Sequence, residues 1–297
     1  MADGGRLASF VQGLIQPETG PRIDFRQPAG EPALAAPDSV SWRVFKNPVS
    51  LSVGGVAAVI LELAEPRVRT GVWQYSSFRT DPLPRLKRTG LAAMVTVYGA
   101  RSAAETMIAG VRRMHDRVAG YTPTGAAYRA NDVELLDWVQ ATASFGFLEA
   151  YRAYAAPLTD DERDRFYAEA APAAALYGAV GAPGSVVGWE AQLVAMLPKL
   201  ERHEIVFEFL DLMRQTAILP APLQGLQGAL IRAAVAITPA EVRAVVGLGP
   251  EWDLGPVEGR LVRWAGAAAD RLPIKGMPAV EACLRMGLPA DYLYRRK

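Results

Sequence analysis

Histidine and cysteine are nearly missing from this chain: its 297 residues include two histidines, His115 and His203, and one cysteine, Cys283. The shortage excludes a cysteine-rich zinc site, a cluster held by four of its own thiolates, a three-histidine zinc and an internal disulfide. A di-iron carboxylate bundle needs a glutamate three residues before a histidine on each of two helices. Those positions hold Arg112 and Leu200. Excess charge is missing too, since 32 basic residues stand against 31 acidic ones. No general field draws in polyanions, and a nucleic-acid partner is not expected. The start, MADGGRLASFVQGLIQ, has no basic head followed by a sustained apolar run and a cleavage site. The most apolar segment, 53–63, is shorter than the roughly 20 residues of a membrane crossing, and Glu62 and Pro66 interrupt or end it. The single thiol fits a reducing compartment, so the expectation is a soluble, cytoplasmic protein with no membrane span.

What is present is apolar and helical. Hydrophobic residues make up 51% of the chain and charged ones 21%, which supports a large buried core. Residues 1–40, with stretches such as QPAGEPALAAPDS, carry neither helical nor strand periodicity and read as an extended or partly disordered arm. Residues 41–297 read as one all-α domain. Helices are expected at 83–98, 103–119, 132–155, 160–171, 186–197, 203–217, 223–237, 240–246 and 257–272, from apolar steps of three and four between glycine and proline stops. Four starts resemble capping boxes: Ser102 with Glu105, Asn131 with Glu134, Thr159 with Glu162, and Thr238 with Glu241. Only 42–45 reads as a short extended fragment, too little for a sheet.

The candidate chemistry lies on RSAAETMIAGVRRMHDRVAG. Ala104, Met107, Ile108, Val111, Met114 and Val118 form one apolar stripe, and His115 falls four residues after Val111 and three before Val118. Its imidazole is therefore expected to face the core side. Two readings satisfy such a ring: a core histidine bonded to a nearby carbonyl, or an axial ligand to haem, whose iron needs one protein ligand and an apolar slot. A second cluster, Arg85, Arg88 and Thr89, shares one helical face in DPLPRLKRTG. It reads either as a solvated basic turn or as donors to an anionic or oxygen-bearing group. His203, near a helix start, reads as a surface or capping residue.

The stretches EPRVRTGVWQYSSFRTDPLPRLKRTGLAAMVTVYG, RRMHDRVAG and YRANDVELLDWVQAT resemble the oxygenase MpaB family, which includes bacterial rubber oxygenase. LQGLQGALIRAAVAITPAEVRAVVGLG and ACLRMGLP are similar to its tail, so the resemblance runs over about residues 50–290. It implies a helical fold with a globin-like core, haem b, and attack by dioxygen on a hydrophobic substrate. It places the haem ligand at His115 with Arg112 beside it, and a distal run at Arg85, Arg88 and Thr89. The chain departs from the family at Glu65-Pro66, where His-Pro is common, at Tyr75-Ser76, where His-Ser is common, and at Gln140, where Trp-Val-His is common. The function expected is a haem oxygenase acting on a small hydrophobic metabolite. Two alternatives stand beside it: a haem carrier or sensor without turnover, and a haem-free helical binding protein.

Overall fold

A computed structural model describes residues 23–216 and 224–295. The first 22 residues of the amino-terminal arm, and positions 217 and 223 at two expected helix ends, lie outside the described residues. Helix dominates: about 68% of the described residues are helical and 2% are strand. In chain order the helices are α1 (Val40–Phe45), α2 (Pro48–Ala64), α3 (Pro66–Tyr75), α4 (Pro82–Tyr98) and α5 (Arg101–His115). After a hairpin, β1 (Ala119–Tyr121) and β2 (Ala127–Arg129), come α6 (Val133–Tyr154), α7 (Asp160–Tyr177), α8 (Val186–Met196), α9 (Glu204–Gln215), α10 (Gln224–Ile237), α11 (Ala240–Val246), α12 (Pro256–Ala269) and α13 (Pro278–Arg285).

The central pair is α2 and α6. Asn47 caps α2 by accepting from the backbone N–H groups of Val49 and Ser50 at 3.1 and 3.2 Å, and Pro48 opens the first turn. From there α2 is apolar nearly all round, with Val53, Ala57, Ile60 and Leu61 fully buried. Where it meets α6 there is no room for a side chain on either helix. A β-carbon on Gly54 would lie 2.7 Å from the carbonyl oxygen of Gly146, so the two backbones touch. One contiguous apolar cluster grows around that crossing, with Trp42, Trp138, Tyr98 and Tyr151 among its largest members.

Pro66 ends α2. The residue before a proline is driven out of the α region, and Glu65 is extended, with φ −87° and ψ 121°. The chain bends by 109° into α3. Among the described residues no single helix is long and apolar enough to cross a membrane. Residues 23–39 form no helix, yet they are tied down: Arg285 donates to the carbonyls of Phe25 and Glu31 at 2.9 Å each, and Phe25 and Ala33 are buried.

Several local expectations are corrected. The fragment 42–45 is helical, because Ser39 caps α1 by accepting from the Trp42 N–H. Of the four capping boxes only Thr159 with Glu162 forms. Ser102 instead bonds Glu31, Thr238 turns back to the carbonyl of Ala234, and Asn131 lies outside its helix, whose N-cap is Asp132. α7 continues through Pro172 to Tyr177. Ala168, whose carbonyl loses its partner there, is exposed, so water can satisfy it. α12 ends at Ala269, short of 272. α5 stops at His115, well before Ala119, and the antiparallel hairpin follows.

The α2–α6 crossing yields a prediction. Gly54→Ala forces two backbones apart and should cost about 1–3 kcal/mol, seen as a fall of several degrees in Tm. Gly110→Ala, where the added carbon meets only a flexible arginine end at 3.8 Å, should leave Tm unchanged or raise it, by about 1 kcal/mol at most. Thermal unfolding followed by circular dichroism measures both.

Candidate functional site

His115 is the last residue of α5, and its surroundings follow from how that helix ends. The inner residues of α5 are Ala104 and Ile108. Toward the carboxyl end the helix emerges from the core, so Met114, expected on the apolar stripe, is 60% exposed. His115 is half-buried. The hairpin returns the chain to Asn131, whose amide nitrogen donates to the carbonyl of Arg112 at 3.1 Å and to the Asp116 carboxylate at 2.7 Å. That amide both stops the helix and stands beside the imidazole, raising its affinity for a proton. The Asn131 Oδ1 is buried without a hydrogen-bond partner of its own.

Burial and the positive charge of Arg85 together outweigh Asn131 and Asp116, and hold the His115 imidazole below its ordinary pKa. The ring is therefore neutral at physiological pH, the form that ligates a metal. The Asn131 side chain stands beside that ring, with its Oδ1 unpaired.

Arg85 on α4 links this histidine to a third group. Its Nη1 donates to Thr89 Oγ1 at 2.8 Å, and Thr89 donates to the Arg85 carbonyl at 3.0 Å. The Arg85 Nε is buried and has no acceptor. Facing it is Glu62, from the carboxyl end of α2. Burial pushes the Glu62 carboxyl up to about 7, against the opposing pull of Arg85 and of a long 3.4 Å hydrogen bond from Thr142. The two charges act on each other without forming an ion pair. Glu62 is surrounded by protein, although its side chain is not fully shielded from solvent.

The expected distal run is thus divided. Arg85 and Thr89 stay together, whereas Arg88 turns outward and donates to Ser77 Oγ at 3.2 Å. Arg112 lies with its guanidinium over Gly178 at the end of α7, where a cation meets the negative end of the helix dipole. His203 caps α9, its Nδ1 accepting from the Ile205 N–H at 3.2 Å. Two members of the site were missed in the sequence. Asn131 was read only as a helix cap, and Glu62 only as a break in an apolar run. A lone carboxylate inside eleven apolar-rich positions, 53–63, was the available signal.

Glu65, Tyr75 and Gln140, where the sequence departs from the resemblance, have partners of their own. The Glu65 carboxylate caps α3, accepting from the Val68 N–H at 2.7 Å, and pairs with Arg67 at 2.6 Å. Tyr75 donates to the carbonyl of Ala119 at 2.9 Å, and Gln140 to Ser144 at 3.4 Å.

This donor set suits haem. One neutral imidazole meets the need for a single protein ligand, while the unsatisfied Arg85 Nε offers a donor to an oxygen-bearing group. Val59, Ala93, Met107 and Val139, one from each of α2, α4, α5 and α6, pack on the core but remain partly uncovered. Among the described residues no cluster of three or more histidine, cysteine or carboxylate side chains could hold a bare ion.

Fold and site define a helical protein with an enclosed histidine–arginine–carboxylate constellation. Residues 42–270 match the family described as "ER-bound oxygenase mpaB/B'/Rubber oxygenase, catalytic domain", and the chain belongs to that oxygenase family. No curated protein and no solved structure is significantly similar to it.

Glu62 makes stability depend on pH. Its carboxyl binds a proton more tightly in the folded state, about 7 against an ordinary 4.5. The stability this confers is complete below the ordinary value and lost as pH rises through about 7. Glu62→Gln should therefore match the parent at about pH 5 and exceed it at about pH 8, by at most roughly 3 kcal/mol. Chemical denaturation at the two pH values measures this.

Proposed function

We propose that the protein is a haem b-dependent oxygenase acting with dioxygen on a small hydrophobic substrate, with His115 as the protein ligand to iron. The carrying observation is the position of Arg85: its charge is felt by both His115 and Glu62, and its Nε is a buried donor without an acceptor. Membership of an oxygenase family supports the reaction class. The globin-like core that the family implies would be drawn from α2, α4, α5 and α6.

When bound, haem supplies the redox chemistry that makes dioxygen reactive. The rest falls to this chain's own side chains. His115 offers a neutral ring nitrogen, and the unpaired Asn131 Oδ1 beside it can accept from the ring's other nitrogen. Arg85, steadied by Thr89, keeps an unpaired Nε–H that would donate to an oxygen-bearing group held there. Glu62 can hold a proton at its carboxyl oxygen near neutral pH and release it, a capacity that an ordinary carboxylate lacks. Arg88 and Arg112, both exposed, are available to the carboxylates of a cofactor's edge. The apolar side chains of Val59, Ala93, Met107 and Val139 favour a hydrophobic substrate.

Optical titration with haem tests the reading. The parent chain should take up one equivalent and show a Soret band; His115→Ala should lose it, and His203→Ala should keep it. Arg85→Gln should retain haem while substrate-dependent oxygen uptake falls about 100-fold or more. A chain that binds no haem ends the proposal. One that binds haem but consumes no oxygen with any hydrophobic substrate is a carrier or sensor.

A further inference from the structure

The helix α12 carries an apolar ridge that its own fold leaves uncovered. Gly259, Val262 and Gly266 are buried on its inner side. Val257, Leu261 and Trp264 are 73%, 44% and 71% exposed. At about 100° per residue these three fall in line on the side opposite the buried three. Leu272, just past the helix end, is 56% exposed and extends the ridge.

Along α12 and the turn that follows it, the exposed charge has one sign, and of the acids just before the helix Asp253 pairs with Arg243. Every exposed charged residue between 256 and 275 is basic: Arg260, Arg263, Arg271 and Lys275. The two acids of the same stretch are both paired. Glu258 pairs with Arg232, while Asp270 pairs with Lys46 at 3.3 Å and accepts hydrogen bonds from Asn47 and Tyr151 at 3.3 and 3.2 Å.

We propose that this face docks the protein on an anionic lipid surface, with α12 lying in the plane of the interface and Trp264 among the headgroups. An exposed tryptophan and aliphatic side chains edged by arginine and lysine are what such an interface recognises. A second copy of the chain fits less well, because a two-fold contact would set each copy's cations against the other's. The valines exposed on α8, Val187 and Val194, lack this complement and flank Glu190 instead.

The docking face and the candidate site are separate. Asn47, at the start of α2, donates to the carbonyl of Gly266 on α12 at 2.9 Å. Glu62 lies near the other end of α2, about 22 Å further along the helix axis. Docking therefore leaves that site clear, and changes to the ridge leave haem uptake unaltered.

The test is co-sedimentation of the full chain with vesicles of phosphatidylcholine alone, and of phosphatidylcholine mixed with phosphatidylglycerol. Binding is expected to the mixed vesicles and to weaken in high salt. Trp264→Ser with Leu261→Ser should lower it about tenfold or more, and Arg271→Gln about fivefold. Val187→Ser with Val194→Ser should change nothing, and circular dichroism and Tm should show every variant folded. Binding to neither vesicle, binding indifferent to headgroup charge, or binding unchanged without Trp264 and Leu261 overturns the proposal. A dimer in sedimentation equilibrium that disappears in Trp264→Ser also overturns it, by giving the face to a second copy.

Discussion

Two glycines set the distance on which the interior depends. Because Gly54 and Gly146 bring α2 and α6 into backbone contact, the helices stay close beyond the crossing, and their side chains interleave from Trp138 to Leu61. Glu62 follows directly after Leu61, so the crossing also fixes where a carboxyl group enters a predominantly apolar region. A protein interior is dense, and a displacement of one helix is passed to its neighbours. The place of Glu62 is in this sense a by-product of that backbone contact.

The electrostatics around Glu62 are an arrangement of incomplete pairs. Glu62 and Arg85 influence one another without an ion pair, and Arg85 in turn helps hold His115 neutral. A complete Glu62–Arg85 pair would have kept the carboxyl ionised and used the guanidinium's donors. Left apart, each keeps a bonding capacity that a bound group can use. Buried polar atoms without partners are costly. Two of them, Arg85 Nε and Asn131 Oδ1, belong to the residues around His115.

Helix positions were legible in the sequence wherever apolar periodicity and proline or glycine stops agreed, as at 83–98 and 240–246. They were not legible where two signals competed. At 102 and 131 a capping side chain was present but had a partner brought close only by the fold, and at 238 the hydroxyl turned back to the carbonyl of Ala234 in its own helix. The same reason explains the site. His115 and Arg85 could be singled out by type and spacing, because each stands on a recognisable helix. Glu62 and Asn131 could not, since one reaches Arg85 across a gap of 23 sequence positions and the other returns to His115 only through a hairpin.

That hairpin has a consequence of its own. Its base is closed twice, by the Ala130 N–H donating to the Val118 carbonyl at 2.9 Å and by the Asn131 amide at the end of α5. Its tip, 122–126, is held mainly by bonds within itself, from Thr122 to Thr124 and Ala126. Lengthening the tip would add loop without moving the clasp at the base, whereas one inserted residue between 116 and 118 would unseat the imidazole. The tip can therefore change in length while the ring geometry is kept, and it is the natural place to graft a label near His115.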